Sequence, residues 1–137
     1  MVTLYSFCMT IPMFGGRVFM DAAPLGTPYP LCIAWDVQGG PVRSYTGTSN
    51  VTAVYPCLTV YDQPSTTDSP GAPRVRLLAA MDAIRAAKDS INTHSDGITR
   101  FVPGSVQAVY ESVPSLDQNA AGRYSATMRF AAQLWRP

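Results

Sequence analysis

The sequence predicts an α+β domain in which one antiparallel, or mixed, sheet of about four to five strands packs against one main amphipathic helix. Near the C-terminus, apolar and polar residues alternate from Arg123 to Leu134, which is the period of a strand with one buried face. Earlier in the chain, apolar residues recur at helical spacing at Leu77, Met81, Ile84 and Ile91. An apolar helix stripe needs a sheet to cover it, so both patterns belong to one layered domain.

The length of 137 residues predicts one domain, residues 1–137, with a core large enough to need no disulfide or metal. Charged residues make up only 14% of the chain, against roughly 25% in an average soluble domain. The net charge of +1 argues against a nucleic-acid-coating protein and against an acidic disordered tail. Surface charge keeps soluble proteins from associating, and this chain has little of it. The composition therefore favours the interpretation that the chain is a subunit of an assembly.

The N-terminal segment predicts short elements separated by glycine and proline. Residues 3–14 are apolar but interrupted by Pro12, and form either one short helix or an extended lead-in. The Gly15-Gly16 pair ends this segment, and a short extended run covers Arg17 to Met20. The loop that follows is stiffened by three prolines, Pro24, Pro28 and Pro30.

The first long strand is predicted to begin at Leu31, because its larger apolar side chains fall on alternate positions. These are Leu31, Ile33, Trp35 and Val37, and the pattern predicts that they form the buried face. The run Gly39 to Pro41 is expected to end the strand.

A second strand is predicted from Val51 to Tyr61, with both faces partly apolar, as in a central strand. Pro56 conflicts with that position, because proline cannot donate to a ladder and favours an edge or a bulge. The intervening segment, Gly39 to Asn50, is longer than a tight turn and is expected to project as a flexible arm carrying Arg43 and Tyr45.

One long helix is predicted from about Pro73 to Asn92, with capping residues in the run Asp68 to Pro70. A strand from Ser105 to Val113 follows, before the C-terminal strand described above. The loop Pro114 to Gly122 joins these two strands as a hairpin, so they should pair antiparallel.

The three cysteines, Cys8, Cys32 and Cys57, have no C-x-x-C spacing, which predicts reduced thiols rather than a disulfide framework or a zinc site.

The N-terminal residues lack the pattern of a secretory signal, so a cytosolic origin is expected. The longest uncharged run, Ser44 to Tyr61, is broken by glycine, asparagine and proline and is no membrane span.

Acid and base chemistry has few candidate residues, since His94 is the single histidine and Glu111 the single glutamate. A nucleophilic site would pair Ser90 or Ser95 with His94 and Asp96, but a working triad draws on distant segments rather than on one loop. A metal site of His94, Asp96 and Asp89 lacks a recognised ligand spacing. Gly15-Gly16 precedes a strand rather than a helix, so no phosphate-binding loop is predicted. The sequence thus predicts no catalytic residues, no metal and no cofactor.

Arginine outnumbers lysine nine to one, which fits either bidentate carboxylate pairing at interfaces or the codon usage of a GC-rich genome. Seven tyrosines and two tryptophans are either interface anchors or ordinary strand residues.

Three runs in the first quarter of the chain form a recognisable succession: Gly16-Arg17-Val18-Phe19, Ala23-Pro24-Leu25-Gly26 and Tyr29-Pro30-Leu31-Cys32-Ile33. In this succession the chain resembles the small tail-completion, or tail-terminator, proteins of long-tailed bacteriophages. The order of elements is also similar, and the resemblance extends over about Gly15 to Trp135. Family members usually begin with a full amphipathic helix, whereas only about fourteen residues precede the first run here, so the N-terminal helix is expected to be short or absent.

The resemblance implies a structural role without catalysis. Members of the family form rings, commonly hexamers, that bind the end of the tail tube, stop its polymerisation and present a surface to the neck of the head. The expected partners are further copies of the chain, the tail tube protein and a head-completion or neck protein, and DNA would pass through the lumen without specific binding. The expected location is the neck end of the virion tail, after assembly in the host cytoplasm.

Three residues are predicted to contact neighbouring subunits or the tube, on the basis of residue type and expected exposure. Arg43 and Tyr45 lie in the segment Gly39 to Asn50, and Arg74 lies beside the loop Pro64 to Pro73. Three alternative functions stay open at this point: a head-completion or neck protein, a small soluble hydrolase using His94 and Asp96, and a monomeric module that binds a peptide or ligand.

Overall fold

The sheet of this protein has its helices on one side. The computed structural model describes residues 2–44, 47–116 and 122–135, with the backbone alone for residues 2, 36–44, 47–49 and 88. Along the chain the elements are α1 (Val2–Cys8), a 3-10 helix (Pro12–Phe14), β1 (Val18–Met20), β2 (Leu31–Ser44), β3 (Gly47–Asp62), α2 (Ala72–Ala86), α3 (Lys88–Thr93), β4 (Arg100–Phe101), β5 (Gln107–Glu111), β6 (Ser115–Leu116) and β7 (Tyr124–Trp135).

Three long antiparallel strands, β2, β3 and β7, form the centre of the sheet. The short strand β1 lies parallel to β2 at one edge, and β4, β5 and β6 each pair with β7 on its other side. The α+β prediction, with a mixed sheet and one main helix, is confirmed. The four longest strands are the predicted ones, whereas β4 and β6 have two residues each, too few for a periodic sequence signal.

One core joins the helices to the sheet. Its helical part comes from Leu4 and Cys8 of α1, Leu77, Met81 and Ile84 of α2, and Ile91 of α3, all buried. Strand β7 contributes the even-numbered residues to this core, as the alternation predicts: Ala126, Met128, Phe130, Ala132 and Leu134. The apolar period of each element therefore identifies the face that meets the other layer.

The predicted buried face of β2 was wrong at Ile33 and Trp35, whereas Leu31 is buried. The helices cover the small residues Cys32 and Ala34, while Ile33 and Trp35 point to the other side and stay partly exposed. Both alternating sets are apolar, so alternation alone does not choose between them. Small side chains are favoured beneath α1, where hydrogen bonding with the Cys8 thiol and burial raise the pKa of Cys32.

The arm predicted at Gly39 to Asn50 is paired β-structure rather than an irregular flexible segment. The β2–β3 ladder continues through Pro41, which pairs with Thr52, to Ser44, which pairs with Gly47. Register shifts on both sides of Pro41 let the strands pass the proline, so Gly39 to Pro41 does not end β2. Because β7 pairs with β3 only as far as Val51, the hairpin extends beyond the rest of the sheet.

Pro56 does not move β3 to an edge. The strand lies between β2 and β7, and its ladder to β7 is interrupted at residues 55 and 56 while the pairing to β2 continues. A missing backbone N–H is tolerated in the sheet at such an interruption.

The predicted long helix is two helices. It bends at Ala87 (φ −90°, ψ 13°), after which α3 keeps Ile91 buried and brings the Asn92 side chain to the backbone N–H of Val106, at 2.9 Å. The residue before α2 is Gly71, and no side chain caps this helix. Asp68 was predicted to help cap it but instead accepts hydrogen bonds from Ser65 and Arg76.

The N-terminal helix is short, as predicted, with seven residues in α1. In the part of the chain that the structure covers, no helix has the length and apolar character needed to span a membrane.

Candidate interaction surface

The side of the sheet opposite the helices carries both tryptophans and three of the seven tyrosines. We call it the open face and define it by Ile33, Trp35, Tyr55, Tyr61, Tyr110, Arg129, Ala131, Gln133 and Trp135. These residues fall there because side chains alternate along a strand, and their neighbours in sequence fill the core. A hydrogen-bonded series crosses the face from Trp35 Nε1 to Thr59 (3.3 Å) and from Thr59 to Thr127 (3.2 Å).

Three arginines stack on aromatic rings of this face. The guanidinium of Arg100 lies 4.7 Å from the Trp135 ring centre and that of Arg123 lies 4.6 Å from the Tyr61 ring centre. Arg129 lies 5.6 Å from the ring of Tyr110, its partner across the β5–β7 ladder. Cation–π contact of this kind holds a charged side chain in one place at an exposed site.

The arginines of the helix layer have different partners. Arg76 binds Asp62 (2.5 Å) and Asp68 (2.7 Å), and Arg85 binds Glu111 (2.9 Å) and also Asp82. The hydrogen bond from Arg76, helped by one from Ser65, lowers the pKa of Asp68 to about 2. Arg76 and Arg85 thus bind two carboxylates each, whereas across the described ranges no carboxylate lies within ion-pair distance of Arg100 or Arg129.

A groove of about 480 Å³ lies on the open face between those two arginines. Its lining includes Ala53, Tyr55, Gly104, Ala131, Gln107 and Gln133, and none of the lining residues is charged. One wall is the loop 102–105, held to β7 because Ser105 Oγ accepts a hydrogen bond from the Gln133 N–H and donates one to the Gln133 carbonyl. The arrangement can hold a neutral chain between two cationic ends.

The other end of the open face is partly covered. The loop 21–27 folds beside Leu31, Ile33 and Tyr61 and encloses a second cavity of about 320 Å³, which Arg123 also lines. The accessible part of the face is therefore the end that carries Tyr55 and Trp135.

Exposed apolar side chains are concentrated along β5 and the segment that follows it. We call residues 109–116 the apolar edge: Val109 is 54% exposed, Tyr110 51%, Val113 75% and Leu116 60%. The ladder to β7 skips Val109, which marks a β-bulge there.

The predicted contact residues do not form one site. Arg74 is exposed on α2, near the end of β3 that Arg76 reaches through Asp62. The backbone of Arg43 pairs with Thr48 at the opposite end of β3, and Tyr45 lies outside the described residues. Arg100, Arg129 and the groove were not predicted from the sequence. A signal was present, because Arg129 and Trp135 occupy the non-core positions of the C-terminal alternation.

His94 and Asp96 have separate partners. His94 Nε2 is 2.7 Å from Ser6 Oγ, and its ring meets Phe7 edge-on at 5.7 Å. Asp96 accepts hydrogen bonds from the backbone N–H groups of Ile98 (2.9 Å) and Thr99 (2.8 Å). These contacts join α1 to the loop before β4. Because Asp96 binds the backbone of that loop, it does not orient the His94 ring as the acid of a catalytic triad would. Among the residues whose side chains the structure describes, no group of three or more His, Cys, Asp or Glu is placed to hold a metal ion.

No protein-family model matches the chain, and no curated protein matches it. Several solved structures are similar to the chain, and one of them matches 99% of this chain and 89% of its own length, with 14% sequence identity and a TM-score of 0.48. A likeness at that level carries no argument about what this chain does.

Proposed function

We propose that this chain is a structural subunit that closes into a ring with identical copies, caps the tail tube of a long-tailed bacteriophage, ends its polymerisation and joins it to the neck. The observation that carries the proposal is the apolar edge, where four large apolar or aromatic side chains are each more than half exposed within eight residues. Exposed apolar side chains grouped along one edge of the sheet are typical of an interaction site in a soluble protein.

The geometry of the edge favours side-chain packing over open-ended strand pairing. The bulge at Val109 interrupts the edge of the sheet, and bulges of this kind discourage indefinite strand addition. A contact between this edge and a different surface of the next copy is heterologous, and a heterologous contact closes into a ring when its rotation permits.

The assignment to a tail rests on the resemblance given above, and the contacts between its matched runs are consistent with it. Arg17 of the first run donates from Nε to the carbonyl of Pro30 in the third (2.9 Å), and Val18 pairs with Cys32. The protein acts by shape in this proposal, at the neck end of the virion tail, and takes part in no reaction.

The first test is the mass and shape of the purified protein, by light scattering and negative-stain electron microscopy. Closed rings are expected, and Val113→Lys should reduce them to smaller species because it places a charge in the contact. Val75→Lys is the matched control, because Val75 is also exposed (66%) but lies on α2 away from the apolar edge. A wild-type protein that stays monomeric at high concentration, with or without tail tube, would refute the proposal.

The second test concerns the tube. Added to polymerising tail tube subunits, the protein should shorten the tubes and be found at one end of each. Binding to heads without any effect on tube length would assign the chain to head completion instead.

A further inference from the structure

We propose that the groove on the open face binds an extended acidic segment of a partner protein, with one carboxylate at Arg129, one at Arg100, and small or apolar residues between them. The inference rests on the two arginines, the groove between them and the distribution of carboxylates in the rest of the described chain. It is independent of whether the chain forms a ring.

The spacing of the two arginines sets the length of the segment. Arg100 stacks on Trp135, and Arg129 stands six residues earlier on the same strand. At roughly 3.3 Å per strand residue, strand positions 129 and 135 are about 20 Å apart, and this separation sets the approximate span between the two arginines. An extended segment of about seven residues, acidic at its first and last positions, covers that distance.

Each guanidinium is held in a position suited to a carboxylate. Stacking occupies one face of the planar group and leaves its N–H donors, which point outwards in the plane, available for bidentate pairing. Both arginines are exposed, and no carboxylate of the described residues pairs with either. The stacked rings fix the arginines before binding, which reduces the ordering cost on association.

The residues that line the groove are suited to contact with a protein backbone. Ala53, Gly104 and Ala131 leave room for the close approach of a chain. The side-chain amides of Gln107 and Gln133 line the same groove and can both donate and accept hydrogen bonds. Tyr55, 42% exposed, supplies an apolar contact along one side.

The charge pattern favours a protein segment over a nucleic acid strand. A strand of nucleic acid carries a phosphate at every nucleotide, so phosphates would lie along the whole groove, whose lining holds no cation between the two arginines. A second copy of this chain is a poorer occupant, because Asp62, Asp68, Asp82 and Glu111 already bind Arg76 or Arg85. The exposed Asp21 and Asp89 have no second carboxylate six residues away in either direction.

The test uses a blocked peptide, Glu-Ala-Val-Ser-Ala-Val-Glu, titrated into the full-length protein. Both tryptophans of the chain, Trp35 and Trp135, lie on the open face, and Trp135 contacts Arg100, so tryptophan fluorescence follows binding at that end of the groove. Saturable binding is expected, and Arg129→Gln or Arg100→Gln should each weaken it by about tenfold. Arg74→Gln, an exposed arginine of the helix layer, should leave the affinity unchanged.

The spacing and the chemistry are checked with altered ligands. A peptide with both glutamates replaced by glutamine, and one with its glutamates at positions one and four, should bind at least tenfold more weakly. Lack of saturable binding by the first peptide, equal binding of the glutamine peptide, or tighter binding of a seven-nucleotide oligothymidylate would each overturn the proposal. Circular dichroism confirms that the variants fold, and repeating the titration with Val113→Lys separates groove binding from ring formation.

Discussion

At the scale of single residues, the partners of the arginines divide the molecule into two chemically different sides. In the helix layer, Arg76 neutralises the carboxylate of Asp62, whose side chain is only 2% exposed. On the open face, Arg100 and Arg129 rest on aromatic rings and keep their charge available. The same residue type therefore stabilises the fold on one side and offers an interaction surface on the other.

The Arg76→Gln substitution should lower the free energy of unfolding by about 3 kcal/mol, because it leaves the buried Asp62 carboxylate without its cation. Urea denaturation measures this loss, and Arg74→Gln, exposed on the same helix, should change stability by less than about 0.5 kcal/mol. Adding Asp62→Asn to Arg76→Gln should recover part of the loss, since the buried charge is then removed. Equal effects of Arg76→Gln and Arg74→Gln would contradict this role.

At the scale of elements, α1 is held by polar contacts as well as by its buried side chains. Thr3 lies 2.6 Å from Thr99 between their hydroxyl oxygens, and Ser6 lies 2.7 Å from the His94 ring. The centre of this contact is Asp96. Burial raises its pKa, but hydrogen bonds from Thr99, Ile98 and Thr3 outweigh burial and lower the pKa below its ordinary value.

A carboxyl whose pKa is lower in the folded state contributes stability above its ordinary pKa of about 4 and loses that contribution as the pH falls through the folded value. Asp96→Asn should therefore cost about 1 kcal/mol at pH 7, and the difference from wild type should shrink below pH 4. Urea denaturation at both pH values, with hydrogen exchange of the α1 amides, tests this. The exposed Asp89→Asn is the control, and a difference that stays constant down to pH 2 would show that Asp96 is not the group responsible.

At the scale of the whole molecule, the apolar edge and the groove should respond differently to salt. Raising the ionic strength from about 0.1 M to about 1 M shortens the Debye length from about 10 Å to about 3 Å. Binding of the acidic peptide should weaken several-fold, whereas self-association through Val113 and its neighbours should persist or strengthen. Fluorescence titration and light scattering on the same samples measure both, and loss of the rings in high salt would assign self-association to charge pairs instead.

The sequence predicts some elements well because their signals are local. The alternation through β7 and the helical spacing from Leu77 to Ile84 follow from the backbone geometry of one segment, and both identify the buried side correctly. The face of β2 was not predictable in the same way, because Ile33 and Trp35 alternate with residues that are also apolar. The bend at Ala87 had no sequence signal, since alanine favours a continuous helix.

The contact residues inferred from the sequence, Arg43, Tyr45 and Arg74, remain predictions chosen by residue type and expected exposure. The groove could not be predicted by that route. It depends on β7 pairing with β3 on one side and with β4 and β5 on the other, which brings Trp135 to Arg100 and Arg129 to Tyr110.

The amino-acid sequence alone determined the class of the domain, its main helix, its four longest strands and the core-facing side of that helix and of β7. Only the tertiary structure decided which face of β2 the helices cover, which arginines meet carboxylates and which meet aromatic rings. The physical reason is the distance in sequence over which each property is set. The backbone geometry of a single segment fixes its periodicity. The surroundings of a charge depend instead on residues that strand order and register bring from distant parts of the chain.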